Sequence, residues 1–119
     1  MMHLDLVSRD FAMTESIEQR LERRLARLRN RHGEWMRHAR VRLGDTNGPR
    51  GGVDKFCRVT VNLPAGPGIH IEQISADLYT AIDVCMRRLD RALRARRLRS
   101  QSRARKGRQR ALAHARATT

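Results

Sequence analysis

Arginines are the residues of this chain whose type and spacing best suit them to chemistry. Arg20, Arg24, Arg27 and Arg31 recur at three- and four-residue steps, and Arg87, Arg88, Arg91, Arg94 and Arg97 form a second dense set. On a helix, residues three and four apart lie above one another, so each set makes a stripe of guanidinium groups. A guanidinium holds its donors in a planar fork and can take two phosphate oxygens at once. Such a stripe is suited to binding a polyanion rather than to breaking a bond. The first stripe also has a plainer reading, a solvated face whose long stems cover the edge of a core.

Catalytic or metal chemistry finds little support. The histidines are His3, His32, His38, His70 and His114, and none stands four residues from another ligand type on a helical face. Neither Cys57 nor Cys85 has a C-x-x-C partner, and both sit in apolar stretches as small core residues would. No serine lies in a nucleophile-elbow pattern. Asp77 and Asp83 are six residues apart and point to different sides of a helix, which is poor geometry for an acid–base pair. Asp77 reads as a first-turn acid matched to the helix dipole. Asp83 precedes Arg87 by four, and Asp90 precedes Arg94 by four, both favourable ion-pair spacings. Tyr79 flanks an apolar stripe and should be half-buried with its hydroxyl bonded.

The elements that must position the arginines follow from periodicity. Residues 3–9 are short and apolar enough for a strand. Thr14 offers an N-cap hydroxyl, Glu15 and Glu18 fall in the first turn, and Ile17, Leu21, Leu25 and Leu28 make a helical stripe that should stop between Asn30 and Gly33. Residues 36–43 alternate, with Ala39, Val41 and Leu43 on one face and His38, Arg40 and Arg42 on the other. Gly44 to Asp54 is rich in turn formers and joins this strand to a second alternating run, residues 55–63. Its glycines lack the strand, lysine and helix order of a phosphate-binding loop. Pro64 to Gly68 makes the next turn, and Ile69 and Ile71 mark a short fourth strand.

From Ile74 to Arg97 the period returns to that of a helix, with Ser75 as its expected cap. Leu78, Ile82, Cys85, Met86, Leu89 and Leu93 form its apolar stripe, and Arg87, Arg88, Arg91 and Arg94 lie opposite. The order is thus β-α-β-β-β-α, an α+β fold. Its four-stranded mixed sheet carries both helices on one face, with the first two strands parallel if adjacent. The other face, with His38, Arg40, Arg42, Arg58 and His70, should be open to solvent.

At 119 residues, one domain is expected. Net charge is +14, from 26 basic and 12 acidic residues, which points to a polyanionic partner. No apolar run reaches the roughly 20 residues of a membrane span, and the first residues lack a secretory pattern. The expected location is the cytoplasm. After Asp90 there is no acid, while residues 91–119 hold 11 Lys or Arg. The apolar stripe fades by about Ser100. The expected division is therefore a domain over 1–98 and a flexible basic tail over 99–119. Aromatic residues are 3% of the chain, too few for a run of base-stacking platforms, which favours structured RNA or DNA held through phosphates.

D-L-Y-T-A-I-D at 77–83 resembles the D-M-Y-x-A-I-D signature of the family of ribosome hibernation-promoting factor and ribosome-associated inhibitor A, also called sigma-54 modulation proteins. The following M-R-R-L-D-R-A-L-R is similar to that family's Lys/Arg–Leu–acid–x–x–Leu continuation. M-T-E-S-I and R-L-A-R-L, at 24–28 for the latter, resemble the start and middle of its first helix. Together the likeness covers about residues 3–98. Leu78 stands where the signature has Met, a volume-conserving change.

The resemblance implies a fold comparable to a double-stranded-RNA-binding domain. It also implies a non-catalytic factor with no cofactor that binds the small ribosomal subunit and its 16S rRNA. The site would be the channel for mRNA and the tRNA anticodon ends, and occupancy would inhibit translation under stress or in stationary phase. Arg24, Arg27, Arg87, Arg88, Arg91 and Arg94 would face rRNA, with Arg20, Arg31 and Arg97 completing the two stripes. A short basic tail leaves no room for a second, dimerising domain, so a short-form factor, monomeric off the ribosome and without a small-molecule substrate, is expected. A general structured-RNA- or nucleoid-binding protein, with affinity supplied by the tail, is the alternative.

Overall fold

The computed structural model describes residues 14–45, 55–63 and 66–117. Helix α1 spans Glu15–His32, a 3-10 turn follows at Gly33–Met36, and strands β1 (Ala39–Asp45), β2 (Lys55–Val61) and β3 (Ile69–Ser75) lead to helix α2, Leu78–Ala117. The strand expected at residues 3–9, and its parallel pairing, lie outside the described residues. Among the described residues the sheet is three-stranded and antiparallel, in the order β1-β2-β3.

Local chemistry accounts for the element ends. The Thr14 hydroxyl accepts from the Ile17 amide at 3.2 Å, and Glu15 and Glu18 occupy the first turn of α1. Gly33, at φ 57°, ends the helix, with its amide bonded to the Arg29 carbonyl. The cap of α2 is Asp77 rather than Ser75. Asp77 accepts from the amides of Tyr79 and Thr80 at 3.4 and 3.3 Å, and from the Thr80 hydroxyl at 3.0 Å. Ser75 is the last residue of β3, so the strand runs longer than the Ile69–Ile71 pair implied.

Alternation decides which sheet face is buried. Ala39, Val41 and Leu43 of β1, Cys57, Val59 and Val61 of β2, and Ile69 and Ile71 of β3 pack inward. They meet Ile17, Leu21, Leu25 and Leu28 of α1 and Leu78, Ile82, Cys85, Met86, Leu89 and Leu93 of α2 in one core. Helix α2 lies over β2 and β3, and α1 lies against α2. The outer sheet face carries Arg40, Arg42 and His70, exposed, with Arg58 ion-paired to Glu72 and stacked 4.5 Å from the Phe56 ring.

Residues 99–117, expected as a flexible tail, continue α2 as helix. The fading apolar stripe is not a stop signal by itself. Ala, Arg, Gln, Lys and Leu are strong helix formers and predominate, no proline interrupts them, and Gly107 is the weakest position. From Leu98 to Arg116 every residue is exposed. The 40-residue helix is about 60 Å long, so the molecule measures 72 × 23 × 17 Å.

Candidate nucleic-acid interface

The arginine stripes come together where α1 lies on α2, and the acids of α2 decide which arginines are free. Asp83 and Asp90 are seven residues apart, two helical turns, so both stand on the same edge of α2. That edge faces α1. Arg20 Nη1 and Arg24 Nε each reach one oxygen of Asp83 at 3.1 Å. Arg31 Nη1 donates to Asp90 Oδ2 at 2.6 Å, and His32 Nε2 to Asp90 Oδ1 at 2.7 Å. The expected pairs within α2, Asp83 with Arg87 and Asp90 with Arg94, do not form. Both oxygens of each carboxylate are already taken by α1, in pairs that also lock the helices together.

His32 is buried, and its Nδ1 has no hydrogen-bond partner. Partial burial favours the neutral form of Asp90, but the hydrogen bond from His32 and the charge of Arg31 outweigh it and hold the carboxyl below its ordinary range. Arg20 also lies 5.5 Å from the Tyr79 ring, which fixes the outer end of this cross-helix ladder.

The acids leave Arg27, Arg87, Arg91 and Arg94 exposed and without an ion pair or hydrogen bond among the described residues. Arg27 of α1 and Arg87 of α2 both line a shallow groove of about 130 Å³. Its apolar lining is Leu28 and Met86, and Arg24, Arg31 and Asp90 complete the rim. The remaining candidates are placed otherwise. Arg88 turns to β3 and donates to the Glu72 carbonyl at 2.7 Å and to Gln73 Oε1 at 3.0 Å. Arg97 is half-buried, and its Nε is enclosed without a partner.

Guanidiniums around a shallow groove lined by Leu28 and Met86 can hold the phosphates of a folded nucleic acid, with the spacing of the two helices that carry them set by the cross-helix ladder. The ladder itself, including His32, was not singled out from sequence. The seven-residue spacing of Asp83 and Asp90 was the signal available for it. Cys57 and Cys85 are buried, and the Cys85 thiol donates to the Cys57 carbonyl at 3.4 Å. The side-chain hydrogen bond with Cys85, and then burial, push the Cys57 thiol far up, so it stays protonated. Among the described residues no three His, Cys, Asp or Glu side chains gather as a metal site would require, and no helix is long and apolar enough to cross a membrane.

Comparison with known proteins agrees with this architecture. The N-terminal domain of Thermus thermophilus Protein Y is 26% identical, with a TM-score of 0.58 over 77% of this chain and 93% of that one. A ribosomal subunit interface protein from Coxiella burnetii shares the fold at 19% identity, with a TM-score of 0.64 over 82% of this chain and 99% of that one. No curated protein matches significantly. The family described as sigma 54 modulation protein / S30EA ribosomal protein matches residues 4–101, most of the length, and the chain belongs to that family.

Proposed function

We propose that this protein binds the small ribosomal subunit and inhibits translation without catalysis. Arg27, Arg87, Arg91 and Arg94 contact the phosphates of 16S rRNA, and Arg20, Arg24 and Arg31 hold the two helices in the spacing those contacts need. The observation that carries this reading is the pair Arg27 and Arg87 at the groove between α1 and α2, with Arg91 and Arg94 exposed further along α2, all four without an ion pair among the described residues. Family membership and the likeness to a ribosomal subunit interface protein support it. Bound in the channel for mRNA and tRNA, the domain excludes both, as suits a cytoplasmic factor that silences ribosomes under stress or in stationary phase.

Gradient sedimentation with purified small subunits tests it. The wild-type chain co-sediments at low salt, and Arg87→Glu/Arg91→Glu loses about ten-fold or more in affinity. Binding left intact by that double reversal sinks the proposal. The exposed, acid-free extension of α2 favours a second reading, general adhesion to polyanions. Under that reading deleting residues 99–119 removes binding, while the double reversal hardly matters.

A further inference from the structure

A second arginine cluster lies where α2 runs past the end of the sheet. Leu89 and Leu93 face the core there, fully buried, and the same stripe continues by three- and four-residue steps as Arg96, Ser100 and Arg103. Beyond the sheet these positions have no core to enter. They line, with Arg99, a groove of about 600 Å³, whose other walls are Trp35 of the 3-10 turn and the Gly66–Pro67 turn between β2 and β3.

Three features make this groove a built site. Trp35 packs partly on the core, which fixes it, and its remaining surface lines the groove. It is the only tryptophan of an aromatic-poor chain. Arg96 is tied by its Nη2 to the Pro67 carbonyl at 2.7 Å and so braces the wall. Arg99 and Arg103 are exposed and have no hydrogen bond or ion pair among the described residues. An indole beside two free guanidiniums, in a volume typical of small-ligand pockets, suits a base with its flanking phosphates.

We propose that this groove is a nucleotide site for single-stranded RNA, in which a base stacks on Trp35 and the adjoining phosphates bind Arg99 and Arg103. Arg96 is a positioning residue. The site is separate from the Arg27–Arg87 groove and gives the chain a contact with unpaired RNA that phosphate binding to a folded surface does not supply. It rests on the reading of the chain as an RNA-binding protein, but not on the choice of the small subunit.

The emission of Trp35 reports on the site directly. Titration with hexa-adenylate quenches it saturably. Arg99→Glu/Arg103→Glu, at exposed positions and checked for fold by circular dichroism, weakens this binding about ten-fold or more. Polyphosphate of equal charge binds without comparable quenching, because it carries no base. An RNA duplex, with its bases stacked internally, also leaves the emission largely unchanged.

Absence of quenching overturns the proposal. So does equal quenching by polyphosphate or duplex, or unchanged affinity in the double variant. The same preparations, sedimented with small subunits, separate the two proposals. Hexa-adenylate quenching without subunit binding sinks the ribosomal reading alone, and subunit binding sensitive to Arg87→Glu/Arg91→Glu without quenching sinks the nucleotide site alone.

Discussion

Two aspartates organise the arginine surface. Each oxygen of Asp83 accepts from one α1 arginine, and the pairs are only partly screened, with Arg24 and Asp83 side chains 30% and 25% exposed. Asp83→Ala should therefore lower stability by about 1–2 kcal/mol, read as a shift in urea midpoint at unchanged slope. Asp90 adds a pH dependence. Its carboxyl is held below the ordinary range when folded, so its contribution is present above the unfolded value of about 4 and is lost as pH falls through the lowered folded one. Melting temperature should fall on acidification across that window. Asp90→Asn should be less stable at neutral pH and have a flatter profile. Burial of Cys57 and Cys85, and at Cys57 a thiol held protonated, predict no reaction with a thiol reagent until denaturant is added, when both react.

Elements differ in what holds them. The first half of α2 is fixed by its apolar stripe, whereas from Leu98 onward it is sustained by helix propensity against like-charge repulsion. Deleting residues 101–119 should reduce helical ellipticity yet change folding stability by no more than about 0.5 kcal/mol, since the exposed residues bury nothing. In the sheet, Gly44 stands opposite Phe56 in the β1–β2 register, and a Cβ there would lie 2.5 Å from the ring. Gly44→Ala should push the ring off its stack with Arg58 and cost about 1–2 kcal/mol in chemical denaturation.

At the scale of the molecule, charge and shape act together. The net charge of +14 is carried on a body 72 Å long, and its acids end at Asp90, so the far half of α2 is uniformly basic. Every phosphate neutralised releases counterions. If the proposed function holds, affinity for small subunits should fall by orders of magnitude between about 50 and 200 mM salt, and Arg87→Glu/Arg91→Glu should make the slope shallower. A filter-binding series at several salt concentrations reads both.

Much of this was legible in one dimension. Helical and strand periods are properties of local backbone geometry, so the apolar stripes of α1 and α2, the alternation of β1 and β2 and the Thr14 cap could be read directly, and the D-L-Y-T-A-I-D run pointed to the family. Partner choice could not. Asp83 and Arg24 are 59 residues apart in sequence, and nothing in their spacing says that α1 presents its arginines to that edge of α2. Local spacing favoured Arg87 and Arg94 for the two aspartates, and the packing of α1 on α2 gave the acids to Arg20, Arg24, Arg31 and His32 instead. The helical extension was missed because burial served as the criterion where propensity governs. Trp35 shows the same division. Sequence recorded one tryptophan in an aromatic-poor chain, and only the convergence of the 3-10 turn, the β2–β3 turn and α2 sets it among arginines. Local order follows from the period of the chain, whereas the pairing of charges follows from which surfaces the core draws together.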